Sequence, residues 1–469
     1  MTAKNKAFIT TAIDYTNAQI HVGQAYEKIL ADCFARFQRL KKGKENVFFT
    51  TGTDEHGTTN EKAAKKEGIS TSEFVTQISL KDKTQIDSLN ISYDRFIRTT
   101  DEDHIKTASE FFKKSFDNGD IYKASYEGYY CEGCEAYKTL TELNENGQCP
   151  LHTTREIQKL EEENYFFKWS KYTDFLRELV SSKTFVVPEG KRKEMLSFIE
   201  SGINDIPVTR PKFKLDWGIT SPIDDNQVIY VWFDALINYI TSGFPLGFWD
   251  EDTEIVHFVG KDIARWHVLL WPAMLKSAGY RVPDSVCVHG FLNLNGEKIS
   301  KSKGNVIYPT EIVEKFGTDA VRYYFLRYGP IVEDSDISET HLKDIYNGEL
   351  ANGLGNTVAR VAKLAENSGF EFEKVDTVFS QVIKDFRTDQ ALSGIWARLT
   401  ELDKHINENA PWALEDRVKL KEVLTYEVNE IRKIAPNLEP FIPETAEKIR
   451  SQFGQEKIKS EKPLFPRIN

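Results

Sequence analysis

The stretch "NAQIHVGQAYEKILADCFARFQRLKKG", Asn17 to Gly43, is where the fold can be read. Tyr26, Ile29, Leu30, Cys33, Phe34, Phe37 and Leu40 recur at helical spacing, so one face of a helix is apolar and is buried. The pattern stops at Gly43, a residue type that ends helices. The flanking segments, "KAFITTAI" before it and "NVFFTTGT" after it, are rich in Phe, Ile, Val and Thr, the composition of strands. A strand, a helix and a strand in succession form a β-α-β unit, which builds parallel sheets.

The same pattern returns later. "EIVHFVG" reads as a strand, Ile263, His267, Leu270 and Met274 as one face of a helix, and "DSVCVHG" as a second strand. Two such units imply a parallel sheet whose ligands sit at the carboxyl ends of its strands. The long region between them ends in the turn-rich "GINDIPVTRPKFKLDW" and reads as an inserted domain. From about Thr310 strand signals vanish, and amphipathic helices follow to the C-terminus, broken at "NSGFEFEK", "NENAPW" and "IAPNLEP". The divisions expected are 1–115 and 226–295 for the sheet domain, 116–225 for the insert, 296–345 for a connecting region and 346–469 for a helical bundle.

With 469 residues, 40% of them hydrophobic, the chain can bury a sizeable core without covalent staples. A net charge of -11 argues against nucleic-acid binding by bulk electrostatics, while leaving room for a local basic face. There is no run of eighteen apolar residues, and "MTAKNKAFITTAIDY" leads straight into a strand rather than a leader peptide. A soluble, cytoplasmic protein with no membrane partner is the expectation.

Five cysteines are present, and three of them crowd into "YYCEGCEAYKTLTELNENGQCPLH". Cys131, Cys134, Cys149 and His152 follow the spacing C-x2-C, fourteen residues, C-x2-H. A CxxC turn aims two thiolates at one tetrahedral Zn²⁺, and the second pair closes the shell. Four ligands leave no open position, so the expected zinc is structural.

His21 and Gly23 fall where the first strand hands over to its helix, where backbone N–H groups and a positive helix end favour an anion. Alone, a His and a Gly in a turn are unremarkable in any protein. A companion stands at "NGEKISKSKGN", Asn295 to Asn305, where Lys298, Lys301 and Lys303 alternate with Ser300 and Ser302 between Gly296 and Gly304. Such a loop can bring cations over a polyphosphate, or can simply be solvated. No G-x-x-x-x-G-K-[ST] is present, which excludes a P-loop ATPase.

"HVGQ" after the first strand and "KISKS" after the last resemble the two signature motifs of class I aminoacyl-tRNA synthetases. More narrowly, "FITTAIDYTNAQIHVGQAY", "TGTDEHG", "YVWFDALINYI", "FVGKDIARWHVLLWPAML" and "HGFLNLNGEKISKSKGN", in this order, resemble the methionyl-tRNA synthetase family. The resemblance implies a Rossmann-type α/β catalytic domain with a zinc-bearing insert, followed by an all-α helical-bundle domain that reads the anticodon. It also implies ATP with Mg²⁺, L-methionine and tRNA(Met) as partners, and a methionyl-adenylate intermediate.

By match, His21, Gln24, Lys298 and Lys301 are the catalytic candidates, with Lys301 the main transition-state cation. His21, Gly23, Gln24, Gly260, Asp262, Leu292 and Lys301 would bind ATP, Asp262 accepting from a ribose hydroxyl. Ile13, Tyr15, Trp232, Ala235, Tyr239, Ile263 and His267 would line a slot for the thioether, with Asp54 on the ammonium. Asn356 and Arg360, one helical turn apart, and Trp412 would meet the anticodon.

Two departures stand out. Gln24 replaces the family's usual second histidine and cannot carry its charge, and Leu236 stands where some relatives have proline. The insert is too short for a large editing domain, which disfavours the isoleucine, valine and leucine enzymes. A cysteine enzyme would need an open zinc position. A non-catalytic tRNA-binding relative is encouraged only by Gln24. The chain stops soon after the bundle, so a monomer is expected.

Overall fold

The computed structural model describes residues 4–131, 133, 136–138, 140–151, 153, 156–299, 304–377, 379–380 and 382–468. They form two compact units. The first comprises Met1–Ile20, Phe48–Thr84 and Tyr93–Val288, and the second His21–Val47, Gln85–Ser92 and His289–Asn469. This grouping differs from the segments read along the sequence, because the first helix packs with the C-terminal part of the chain. Periodicity reveals that a helix has a buried face; it does not reveal what covers that face.

In the first unit, strands Asp14–Tyr15, Val47–Asp54, Lys6–Thr11, Thr253–Gly260, Ser285–His289 and Val186–Val187 lie side by side in that order, with Arg95–Arg98 also paired to Val47–Asp54. Lys6–Thr11 runs parallel to Thr253–Gly260, and Val47–Asp54 runs parallel to both Asp14–Tyr15 and Arg95–Arg98. The expected parallel pairing is therefore present. Helix Glu102–Asp117 buries Phe111 and Phe112, which pack edge-on against Phe233.

The insert is antiparallel. Ile121–Cys131 pairs with Ile157–Phe167 over its whole length, from Ile121 opposite Phe167 to Cys131 opposite Ile157, and Ala136–Lys138 folds back along its other edge. Cys131 and Cys149 are fully buried. Cys134 and His152 lie outside the described residues.

The helix expected through Ile263, His267, Leu270 and Met274 forms with a wider π-type turn at Trp266–Leu270, before Trp271–Ser277. Pro272 has no N–H to give Val268, and its ring crowds that carbonyl, which accounts for the widened turn.

In the second unit the first helix runs from Val22 to Lys42 and stops at Gly43, whose φ of 91° suits glycine. Asp32 on this helix and Arg322 on helix Thr318–Tyr328 form an ion pair of 2.7 Å, and both side chains are fully buried. Arg322 also donates to the carbonyls of Leu89, Phe441 and Pro440. Helices Asn356–Ser368, Thr388–Asn409, Arg417–Leu438 and Pro443–Phe453 follow, as the amphipathic pattern predicts.

One expectation is corrected. Strand structure does not end before Thr310, because Ser335–Ile337 pairs in parallel with Leu292–Leu294. Three residues are too few to show alternation. Leu292–Leu294 also turns back on Glu297–Lys298 through Asn295 and Gly296, both at positive φ, the Asn-Gly signature of a tight hairpin.

Burial alone would raise the Asp32 pKa, but Arg322, Arg36 and the hydrogen bonds from Ser92 hold it below the usual carboxylate value. The unfolded chain thus takes up a proton near pH 4 that the folded chain refuses. The Asp32 contribution is expected to be complete at neutral pH and to be lost as pH falls below about 4. Asp32→Asn strands the Arg322 charge and should lower the unfolding free energy by about 3 kcal/mol, as measured by urea denaturation at pH 7.

Candidate active site

Half of the residues expected to hold the amino acid lie at the carboxyl ends of the first unit's strands and the rest on helices. Ile13 follows Lys6–Thr11, and Tyr15 is the register partner of Asp54 at the end of its strand. Gly260 ends Thr253–Gly260, with Asp262 exposed and Ile263 half-buried just beyond. Trp232 and Ala235 lie on the short helix Val231–Ala235, Tyr239 on Asn238–Gly243 and His267 in the π-type turn. Leu236, at the C-cap of Val231–Ala235, is buried and lets the chain continue into the next helix without a proline.

Several of these side chains touch. The Tyr239 hydroxyl lies 2.8 Å from His267 Nε2, and His267 Nδ1 lies 3.1 Å from the Ile263 carbonyl. A carbonyl only accepts, so Nδ1 carries a proton, and Nε2 faces the Tyr239 hydroxyl. The Thr11 carbonyl, at 3.3 Å, is an acceptor for the same hydroxyl. Trp232 stacks on Trp266 with ring centroids 5.0 Å apart, and Trp266 stacks on Trp169 at 6.3 Å. Such a ladder of indole faces offers apolar, polarizable surface suited to a thioether.

Behind these residues stand polar groups that the sequence reading missed. His257 stacks on Tyr239 at 4.3 Å, accepts from Trp271 Nε1 at 3.2 Å and meets Thr10 Oγ1 through Nδ1. Burial, aided by His267, drives its pKa well below the ordinary imidazole value, so it is neutral. Asp234, fully buried, receives His56 Nδ1 at 2.7 Å and His104 Nε2 at 2.8 Å. Burial would raise its pKa, but the two imidazoles reverse this and hold it at about 2. The available signal was a polar residue at an otherwise apolar helical position in "YVWFDALINYI".

In the second unit, His21 and Gln24 form a reciprocal cap on the first helix. His21 Nδ1 accepts from the Gly23 N–H at 3.1 Å, and Gln24 Oε1 accepts from the His21 N–H at 3.2 Å. Because Nδ1 accepts, the neutral ring carries its proton on Nε2. Gly23 is needed for this cap, since a Cβ there would lie 2.9 Å from His21 Cε1. The Val22 N–H donates to the Ile307 carbonyl at 3.0 Å, so the segment leaving the lysine-serine loop returns to the start of this helix. Leu292 is buried on a strand beside the same helix. Lys301 and its neighbours Ser300, Ser302 and Lys303 lie outside the described residues, as does the Lys298 side chain.

Farther along this unit, the Arg360 guanidinium sits 4.8 Å from the Trp412 ring centroid and donates to Asp403 and Asn407. Asn356 is exposed one turn before Arg360 on the same helix. Trp412 is 57% exposed, which rules out a core role. It lies in the 3-10 turn Pro411–Ala413, just after Ala410, whose φ of 42° is left-handed.

Known proteins match this chain along most of its length. The model of the tRNA synthetases class I (M) matches residues 7–160 and 143–362. A methionine–tRNA ligase of Clostridium acetobutylicum is 40% identical, over 97% of this chain and 74% of the relative. One from Synechocystis is 37% identical, over 95% and 89%. Among solved structures, Mycobacterium tuberculosis methionyl-tRNA synthetase in complex with methionyl-adenylate is 32% identical with a TM-score of 0.90, covering 98% of this chain and 100% of that one. The chain belongs to the methionine branch of the class I tRNA synthetases.

Proposed function

We propose that this protein attaches L-methionine to tRNA(Met) in two steps driven by ATP. The methionine carboxylate attacks the α-phosphate of ATP, pyrophosphate leaves, and methionyl-adenylate remains. A ribose hydroxyl of the terminal adenosine of tRNA then attacks the adenylate carbonyl, and AMP leaves. Both steps build charge on phosphate oxygens, so the catalyst must position the reactants and neutralise that charge.

The observation that carries this reading is the contact between the Val22 N–H and the Ile307 carbonyl. It brings Ile307, which follows the lysine-serine loop, back to a helix N-terminus capped by His21, which supports a shared role for the two motifs at phosphate. His21 would give the phosphate a directional hydrogen bond, and Lys301 and Lys298 positive charge. Gln24 keeps His21 oriented through the cap, which explains a glutamine where a charged ring is not required. The family resemblance assigns nucleotide contacts to Gly260, Asp262 and Leu292 as well, and Mg²⁺ to ATP.

For the amino acid, Asp54 pairs with the ammonium while Ile13, Tyr15, Trp232, Ala235, Tyr239, Ile263 and His267 enclose the thioether. Asn356, Arg360 and Trp412 read the anticodon, the indole offering a stacking surface and the polar groups hydrogen bonds. A structural Zn²⁺ fits the insert, since Cys131 and Cys149 are buried sulfur donors, and Cys134 and His152 would complete the shell. We assign the enzyme to the cytoplasm, where its tRNA substrate is used, and as a monomer, a state that light scattering tests.

ATP–pyrophosphate exchange across all twenty amino acids is expected with methionine alone; exchange with none would leave only a tRNA binder. Trp412→Ala should raise KM for tRNA about tenfold through lost stacking while sparing exchange, and an equal loss in both assays would remove it from the anticodon surface. Gln24→Ala should slow exchange about fivefold, matching the loss of a helix cap, whereas an unchanged kcat would exclude a role for it. Elemental analysis should find one zinc per chain, and its removal by a chelator should expose the 121–167 region to protease while the helical unit resists.

A further inference from the structure

Asp234 is a buried charge that the reaction does not use directly, and its geometry is unusually complete. Its side chain has no solvent exposure and accepts one hydrogen bond on each oxygen, from His56 at 2.7 Å and His104 at 2.8 Å. An ionised carboxylate can only accept, so each imidazole must present an N–H to it: Nδ1 of His56 and Nε2 of His104. His104 Nδ1 lies 3.2 Å from Thr241 Oγ1, which also donates to the Ile237 carbonyl.

The three residues come from three different elements of the first unit. His56 stands two positions after Asp54, in the loop that leaves Val47–Asp54. Asp234 lies on Val231–Ala235, the helix that carries Trp232 and Ala235. His104 lies on Glu102–Asp117. The His56 loop is restrained on its other side as well, because Trp217 Nε1 donates to the Glu55 carbonyl at 2.6 Å and the Glu55 carboxylate takes two hydrogen bonds from Arg98. With Glu55 fixed by Arg98 and His56 by Asp234, the loop following Asp54 has little freedom left.

We infer that Asp234 is a positioning residue for amino-acid activation, which by accepting from His56 and His104 together holds the Asp54 loop and the Trp232–Ala235 helix in one geometry. The inference rests on the methionine reading of the pocket. It ties the group that receives the ammonium to the wall that receives the thioether, the two ends of one small substrate. A loosened tie would let the two ends move independently, costing substrate positioning without altering the phosphate chemistry.

The test is Asp234→Asn, which keeps the shape but offers a donor where two acceptors are needed. In pyrophosphate exchange KM for methionine should rise about tenfold while KM for ATP stays within about twofold, the split expected when only one substrate's positioning is lost. His56→Asn, at the less buried end, gives a second variant should the first fold poorly, and the same split is expected. The double variant should be no worse than the poorer single one, because both break a single link. Equal rises in both KM values, an unchanged methionine KM or additive losses would overturn the inference. Wild-type protein lacking methionine-dependent exchange would overturn the functional reading, and this inference with it, whereas an active wild type with an indifferent Asp234→Asn would overturn the inference alone.

Discussion

A carboxylate removed from water must receive from the protein every hydrogen bond it has lost, and Asp32 is the place in the second unit where this demand organises the most chain. Its partner Arg322 has no solvent exposure either and spends its remaining donors on the carbonyls of residues 89, 440 and 441. One guanidinium therefore joins the first helix, the 85–92 segment and the turn between the last two long helices. A cation that reached only the carboxylate would leave buried N–H groups unpaired, at a cost comparable to the gain from the pair. Arg suits the position because its planar fork serves several acceptors at once, which a Lys ammonium on a flexible stem does less well.

The first unit obeys the same constraint with different chemistry. Asp234 is satisfied by two imidazoles, and the neutral His257 is satisfied by Thr10 and Trp271. His257 stacks on Tyr239, and Asp234 shares a helix with Trp232, so hydrogen bonds fix elements that also carry residues of the expected methionine slot. Apolar selectivity is worth only about 1–3 kcal/mol per methylene, so a slot of this kind depends on holding its shape. Hydrogen bonds fix directions that packing leaves free, and Tyr239 illustrates this, its hydroxyl held between His267 and the Thr11 carbonyl.

Much of this was legible in the chain. The apolar stripe from Tyr26 to Leu40, bounded by two strand-like segments, specified a helix between parallel strands, because burial on one face forces a period that the composition then displays. The strand-end placement of Ile13, Tyr15 and Asp54 followed from the same unit, and that of Gly260 from the later one. Three features escaped. The strand Ser335–Ile337 is too short to alternate, and the widened turn at Trp266–Leu270 answers a proline only in three dimensions. The Asp234 link joins residues 130 and 178 positions apart, and a lone Asp among apolar neighbours does not announce its partners.

The sequence by itself determined the longer strands and helices, the apolar face of the first helix and the motifs that mark the family, since each of these rests on local period and local chemistry. Only the tertiary structure decided that the Val22 N–H meets the Ile307 carbonyl, that Trp412 stays in solvent beneath Arg360, and that the first helix belongs with the C-terminal helices. These depend on which distant groups complete a hydrogen bond or cover an apolar face. That is a matter of closure in space, and no window along the chain contains it.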